Sequence, residues 1–584
     1  MVRRKAGSET RFLRAIGVVG ALVALTLSGC SKQNAPAQST SAAPAATSSA
    51  YSDADRSRLA GGIRGNTNPT QEQKDFVNKS VDDSYLGDRF DEVIPGDYSK
   101  YPMSGRRLTI WQPLRAEVAG VVGDLNKHPA YLIAQEITGI KVTFISPPIG
   151  QEDEQFNIMV ASGNLPDIVV DGRYPGGYLA GVEDGLYMDL TDLLESGAPN
   201  YAAYRSSDEL RRKNTLTDDR RVVAFFGLSP YSEWMWFGLL IKQEALDKTG
   251  LPVPETIDEW YTFLKKCQEL GYSEPLNYGS NYGQIFTDGI NGAYGVYDWV
   301  FTDANGKPQW GPAQPGARAY LETMQKWQSE GLFNADWITA DFNQRMAEAI
   351  SNSCAVIFDS PDTMWSFWKA QNNYDFVPAL NPVLNKGNKP TTTYSNQKRS
   401  GTDAALTTQC RDVEAALAWL DFGYSKKGWE LLNYGEYGVT HLVDSNGYPY
   451  YPDGSPIYTD ASFPTTDRLW SDRIHVGPNI RDEHYSNPLI VQKGSYSGDI
   501  RKYWTENMDV SVARPGITFT PAEQSEEASL GTQLSTLRGE YFSKIIMGRL
   551  PLNAYDEFLA QANQMGLSRF LALYQAAYDR YNAR

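Results

Sequence analysis

Cysteine and histidine are scarce in this chain, four of each among 584 residues. The histidines, His128, His441, His475 and His484, fall at no metal-ligating spacing, and neither His-Glu-x-x-His nor Cys-x-x-Cys occurs. That removes the common zinc sites. After Cys30 only Cys267, Cys354 and Cys410 remain. They could close one disulfide at most, so this is no disulfide-stapled scaffold, and core packing is the expected use of all three. No Gly-x-x-x-x-Gly-Lys-Ser/Thr is present, which removes a Walker-type nucleotide-phosphate loop. Positive charge is in deficit: 54 Lys and Arg stand against 70 Asp and Glu, a formal net charge of -16. Phosphate binding needs a basic surface, so nucleic acid is excluded as a partner and wide adhesion to anionic lipid is disfavoured. Long apolar runs are missing beyond the N-terminal segment, so nothing further along can cross a bilayer as a helix.

What that N-terminal segment holds is an export signal. Arg3, Arg4, Lys5, Arg11 and Arg14 make a cationic start, and Ile16 to Leu27 is apolar, broken only by small residues. The run is shorter than the roughly 20 residues a spanning helix needs and has the length of a signal-peptide core. It ends in Leu27-Ser28-Gly29-Cys30. Small residues let the chain lie extended in a peptidase groove, and the cysteine offers a thiol for acylation. The segment resembles the lipobox of bacterial lipoproteins, which implies cleavage after residue 29, palmitate-type acylation of Cys30 and a lipid anchor on the outer face of the cell membrane. A plain secretory signal is the alternative. Residues 30–70 begin with Ser, Ala, Pro, Thr and Gln and cannot bury enough surface to offset ordering entropy, so they read as a disordered tether. Losing residues 1–29 removes five basic groups and Glu9, which takes the mature chain to about -20. Its remaining length suits two lobes better than one small domain.

The body begins with a legible pattern. Leu108-Thr109-Ile110-Trp111 reads as a buried strand, and a helix through Ile137 follows, stopped by Gly139. Ile140 to Ile145 is β-branched and ends before Pro147-Pro148. Glu152 to Ala161 is a second helix closed by Gly163, and Asp167-Ile168-Val169-Val170 is a third strand. This β-α-β-α-β series predicts a parallel α/β sheet. Ligands of such sheets sit beyond the carboxyl ends of the strands, which nominates Trp111-Gln112, Ser146-Pro147 and Asp171-Gly172-Arg173-Tyr174, with Trp111, Arg173 and Tyr174 the foremost side chains. Aromatics are abundant, with 35 Tyr, 22 Phe and 14 Trp. Flat rings with polar edges suit the C–H faces and hydroxyls of a sugar, and they equally suit a large core.

Thr138-Gly139-Ile140-Lys141-Val142, Gln155-Phe156-Asn157 and Ala161-Ser162-Gly163-Asn164-Leu165-Pro166-Asp167-Ile168 resemble the family 1 sugar-binding lipoproteins of ABC transporters, including their long Gram-positive subgroup. Pro254-Glu255-Thr256-Ile257-Asp258-Glu259-Trp260, Gly311-Pro312-Ala313, Glu330-Gly331-Leu332 and Asn433-Tyr434-Gly435-Glu436-Tyr437-Gly438 extend the resemblance over most of the mature chain. Thr256 and Glu259 also form a capping box. The resemblance implies an α/β, two-lobed, periplasmic-binding-protein-like clamp of type II, like maltose-binding protein, with each lobe discontinuous. Lobe 1 is expected at residues 104–225 plus about 378–425, and lobe 2 at about 230–375 plus about 430–584. Crossings are expected near Val223-Phe226 and Asp375-Pro378. It further implies a monomer that binds an oligosaccharide without chemistry, hands it to ABC transporter permease subunits, and touches the membrane only through its lipid.

Glu233, Trp234 and Trp236 lie just past the first crossing, and Asn281 and Tyr282 sit in a Gly-Ser-Asn-Tyr-Gly loop. Asp359 ends a buried strand and precedes Trp365 and Trp368, which share a helix face at i and i+3, so that one could stack on sugar while the other packs inward. Trp470 is a further candidate. Asp303-Ala304-Asn305-Gly306 and Asp444-Ser445-Asn446-Gly447 start like calcium loops but lack the later ligands, so Asn-Gly hairpin turns are the better reading and no cofactor is expected beyond a structural calcium as the exception. Two rivals remain. A secreted glycoside hydrolase would need two paired carboxylates, and nothing selects a pair among 70 acids. A peptide-binding lipoprotein of an importer would read backbone instead of hydroxyls.

Overall fold

A computed structural model describes residues 102–584 except 115, 230–234, 279–288, 341, 352, 365–367, 369–373, 395–397, 436–437, 439, 444–448, 451–476, 482–496 and 514–515. Cys30, the signal segment and the tether lie outside the described residues, as do Glu233, Trp234, Asn281, Tyr282, Trp365 and Trp470.

The first lobe opens as its periodicity predicts. Strand β1 (Arg107–Trp111) leads to helix α1 (Pro129–Thr138), strand β2 (Lys141–Ile145), helix α2 (Glu152–Ser162) and strand β3 (Ile168–Val170). Helix α1 starts where Pro129 needs no amide partner and where the His128 Nδ1 accepts the Ala130 N–H at 3.2 Å. It stops at Gly139, whose φ of 73° is open to a residue without a Cβ. Both β2 and β3 pair with β1 in parallel, Ile110 standing beside Phe144 on one side and Ile168 on the other. Strand β4 (Phe225–Leu228) belongs to the same sheet, and the strand between β3 and β4 comes from far downstream.

The second sheet contains β5 (Gly238–Lys242), β6 (Leu276–Asn277), β7 (Val356–Asp359) and β8 (Phe376–Ala379), in the order β8-β5-β7-β6. Apolar side chains alternate across it. Leu239, Ile241 and Val356 face a large core with helix α4 (Ile257–Glu269), and Leu240, Ile357 and Phe376 face a smaller one. Helix α4 has the expected capping box: Glu259 N–H donates to Thr256 Oγ1 at 3.2 Å, and Thr256 N–H to Glu259 Oε2 at 3.1 Å. Helix α5 (Phe342–Ile350) and the later helices α8 (Ser497–Asn507), α9 (Pro521–Ile546), α10 (Ala554–Gln564) and α11 (Leu567–Ala583) complete this lobe.

Strand β9 (Arg399–Leu406) returns the chain to the first sheet and runs antiparallel between β3 and β4, with Ala405 beside Val169 and Ala404 beside Phe225. Helices α6 (Val413–Phe422) and α7 (Lys426–Tyr434) then bury nearly every side chain in the first core. The crossing points therefore differ from expectation. The first falls at 229–237, because β4 continues to Leu228. Residues 375–378 are no crossing, because Phe376 pairs with Lys242 as the edge of the second sheet; the second crossing is at 395–398. Residues 430–434 belong to lobe 1, and so does Ile480, bridged to Leu228. Within α8 Trp504 lies over Gly238 so closely that a Cβ on the glycine would stand 2.5 Å from the indole.

Cys267, Cys354 and Cys410 are free thiols. Burial pushes Cys267 up to about 12 and Cys354 up to about 11. Among the described residues no helix is long and apolar enough to cross a membrane.

Candidate functional site

The two sheets turn matching ends toward the crossings. In the first sheet these are the carboxyl ends of β1, β2, β3 and β4 and the start of β9. In the second they are the start of β5 and the ends of β7 and β8, because Gly238 pairs with Asp359 and Leu239 with Ala379. A clamp with its ligand between lobes places its binding groups along these ends.

The loop after β3 is the most specialised of them. Asp171 is exposed and holds a φ of 51°, a left-handed conformation that few non-glycine residues adopt. Its N–H donates to Asp403 O at 2.9 Å, which extends the β3–β9 ladder and leaves the backbone no room to relax. Gly172 N–H donates to Tyr178 Oη at 3.2 Å, and a Cβ at Gly172 would stand 2.6 Å from Tyr187 Oη. Glycine is thus required for the loop to lie on its tyrosines. Beneath it, Arg399 stacks 3.8 Å from the Phe226 ring centre and pairs with Asp403 at 2.6 Å. Burial raises the Asp403 carboxyl above its ordinary value even with Arg399 beside it. Strained backbone of this kind persists where the surroundings over-determine it, and it concentrates at binding sites.

The other expected residues divide by surroundings. Arg173 is exposed on the same loop and pairs with Asp153 at 2.7 Å; Tyr174 donates its Oη–H to Asp184 at 2.7 Å. Trp111 ends β1 but is buried, its ring edge-to-face with Phe156 at 6.4 Å. Next to it Gln112 Oε1 accepts the Tyr131 Oη–H at 2.9 Å, beside a cavity of about 20 Å³ lined also by Trp419 and Gly477, with room for about one water. Trp236 is half-buried in the first crossing, 3.7 Å from the Arg501 guanidinium and 5.6 Å from that of Arg481. It thereby joins the first crossing to Arg481 and to helix α8.

Asp359 and Trp368 are placed differently from the expected cleft wall. Asp359 is 1% exposed, with Oδ2 3.7 Å from the fully buried Arg345, and its Oδ1 accepts the Ser360 N–H at 2.7 Å. Trp368 is 0% exposed; its indole N–H donates to Ala349 O at 2.8 Å and its ring packs on Phe376. It is the inward-packing member of the Trp365–Trp368 pair. The carboxylate of Asp303 accepts the N–H groups of Asn305 and Lys307 at 2.9 and 3.0 Å, in a hairpin turn between the strands Val300–Thr302 and Pro308–Trp310. Among the described residues no group of three or more His, Cys, Asp or Glu is gathered to hold a metal ion.

Sequence reasoning named Asp171 only as part of the segment after β3, although Asp-Gly directly after a strand also marks a turn that tolerates positive φ. It passed over Arg481 and Arg501, which nothing local distinguishes from surface arginines.

Similarity to known proteins agrees with this geometry. The chain is 23% identical over 335 residues to the lipoprotein LipO of Bacillus subtilis (strain 168), covering 54% of this chain and 64% of LipO, just under two thirds of its length. It is 21% identical over 472 residues to FusA, a fructooligosaccharide ABC transporter substrate-binding protein of Streptococcus pneumoniae serotype 4, covering 74% of this chain and 83% of FusA. In three dimensions it is similar to an HMO-binding, ABC-transporter-associated solute-binding protein from Bifidobacterium longum infantis, with a TM-score of 0.66 at 18% identity, over 82% of this chain and 99% of that one. Residues 127–428, half of the chain, match the family described as bacterial extracellular solute-binding protein. With two discontinuous α/β lobes and facing strand ends, the chain belongs to that family, a family of binding proteins and not of enzymes.

Proposed function

We propose that this protein captures an oligosaccharide between its two sheets and delivers it to the permease of an ABC importer. The observation that carries the ligand class is the loop at residues 171–178, where an exposed carboxylate in a left-handed turn lies close to Tyr178 and shares its loop with Tyr174. A carboxylate accepts hydrogen bonds from paired sugar hydroxyls, and flat rings cover sugar C–H faces. The names of FusA and of the Bifidobacterium protein point to the same class. Trp365 is the aromatic proposed to stack on the ligand, with Trp368 packed behind it. Glu233, Trp234, Asn281, Tyr282 and Trp470 complete the proposed contacts. The protein acts as a monomer held by lipid at Cys30 and needs no metal ion.

Calorimetry against a panel of oligosaccharides and peptides, with the bound compound recovered and analysed by chromatography, tests the reading. One oligosaccharide class binds and is recovered intact, and dialysis against EDTA leaves its affinity unchanged. Binding of peptides alone, or cleavage of the sugar, would overturn it. Trp365→Ala weakens the binding by about 1–2 kcal/mol, or roughly tenfold. Cys30→Ala releases the protein into the medium.

A further inference from the structure

A cluster of charged groups links the lobes at a point where the chain does not cross. The turn at residues 217–221 and helix α3 (Glu209–Asn214) belong to lobe 1, and Leu216, Val222 and Ala224 root them in its core. Against them lies the last turn of α11, whose Leu567 and Phe570 are core residues of lobe 2. Asp218 receives Arg580 Nε at 2.7 Å and Arg584 through Nε at 2.9 Å and Nη2 at 2.6 Å. Thr518 Oγ1 donates to the same carboxylate at 3.2 Å. From the same guanidinium Nη1 donates to Lys213 O at 3.1 Å.

The last carbonyls of α11 meet three lobe-1 cations. Arg212 donates to Arg584 O at 3.0 Å, Arg220 to Ala583 O at 2.9 Å and Lys213 to Asn582 O at 3.4 Å. Carbonyls at a helix end lack intrahelical partners and carry partial negative charge, so cations there are favoured. Arg220 reaches its carbonyl from a left-handed backbone, φ 66°. Like Asp171, it is a non-glycine residue held in a conformation that costs energy. The Arg584 side chain is 1% exposed, too enclosed to be a loose surface pair.

Helix α3 is also tied to the crossings. Arg211 donates to Ser229 O at the start of the first crossing, at 3.1 Å, and Lys398 at the end of the second pairs with Asp208 at 2.8 Å. One short helix therefore touches two hinge segments and the final helix of the opposite lobe.

We propose that this cluster is a latch across the hinge, which holds the lobes in the relative orientation seen here and sets how often the unliganded clamp leaves it. Two orientations separated by a few kcal/mol exchange populations when a contact made in only one of them is removed. The inference goes beyond the ligand assignment and stands whichever solute is bound.

The test is the interlobe distance without ligand. Spin labels are placed on exposed Asn157 in lobe 1 and Glu322 in lobe 2, with Cys30 and Cys410 replaced by serine. Cys267 and Cys354 are buried and stay unlabelled. In pulsed dipolar spectra, Asp218→Asn and Arg584→Gln each broaden or displace the distance distribution beyond its parental width, and Asp218→Glu retains the parental form. Circular dichroism confirms that each variant is folded. Arg584→Gln, which leaves the 217–221 turn intact, serves if Asp218→Asn does not fold. Parental distributions in the folded variants would overturn the proposal, as would equal displacement by Lys544→Gln, whose partner Glu540 lies in its own helix.

Discussion

Asp171 allows stability and binding to be separated by substitution. Its φ of 51° is enforced, because its N–H is locked to Asp403 and the preceding Val170 is in register with Ala404. Any replacement must adopt the same backbone. A left-handed residue with a Cβ costs about 1–2 kcal/mol, less for Asp, whose side chain bonds locally. Glycine escapes that cost but brings about 0.5–1 kcal/mol of extra unfolded-state entropy. Asp171→Gly is therefore expected to stabilise lobe 1 by about 0.5 kcal/mol. Asp171→Ala keeps the Cβ, loses the local bonding and destabilises by about 1 kcal/mol. Urea unfolding followed by tryptophan fluorescence should order the midpoints Gly, Asp, Ala from highest to lowest. Both variants lose the carboxylate, and a hydrogen bond to a charged group is worth about 1.5–3 kcal/mol, so both should bind the oligosaccharide tenfold to a hundredfold more weakly. Reversed midpoints would refute the strain argument. Parental affinity in the glycine variant would refute the assignment of this carboxylate to the ligand.

Three further outcomes follow from buried side chains. Trp368→Ala empties a fully enclosed site and should cost about 3–5 kcal/mol in denaturant unfolding, with unchanged affinity in the folded fraction; a large loss of affinity would put this ring in the cleft after all. Asp359→Ala takes a carboxylate away from the buried Arg345 and should cost about 3–5 kcal/mol, whereas Arg345→Met with Asp359→Leu should cost less than the single change; additive costs would exclude the coupling. His441 is fully buried, and burial, reinforced by the charge of Lys427, holds its imidazole below its ordinary value even with Glu430 3.3 Å away. The unfolded chain then binds the proton first, so stability falls as pH drops below about 6.5. Urea midpoints at pH 7 and 5.5 should differ less in His441→Gln than in the parent, and an equal drop in both would remove His441 from the acid response.

The parts of the fold legible in the sequence are those with local causes. Gly139 and Gly163 end their helices in left-handed conformations, Thr256 and Glu259 cap theirs, and the strands beginning at Leu108, Ile140 and Asp167 carry their own apolar patterns. The crossings were misplaced because strand membership is decided by a distant partner. Phe376 looks the same locally whether it pairs with Lys242 or turns back to lobe 1, and only the register settles it. The site divides in the same way. Residues after strands could be nominated from topology, which brought Arg173 and Tyr174 to the facing edge. The burial of Asp359, at the end of β7, depends on Arg345 of helix α5, and that of Trp368 on the apolar floor made by Leu240, Ile357 and Phe376. Three or four residues of spacing cannot report such neighbours.

The insertion of β9 between β3 and β4 has a bearing on how this protein comes to exist. Those two strands cannot be joined until residues 399–406 have been made, more than 200 positions after β3. Until then lobe 1 has unpaired interior edges, and closing them requires a loop of that length. Contacts so distant in sequence slow folding. For a protein of an extracellular family the delay is useful: export can thread it as an unfolded polymer before its own architecture allows it to close.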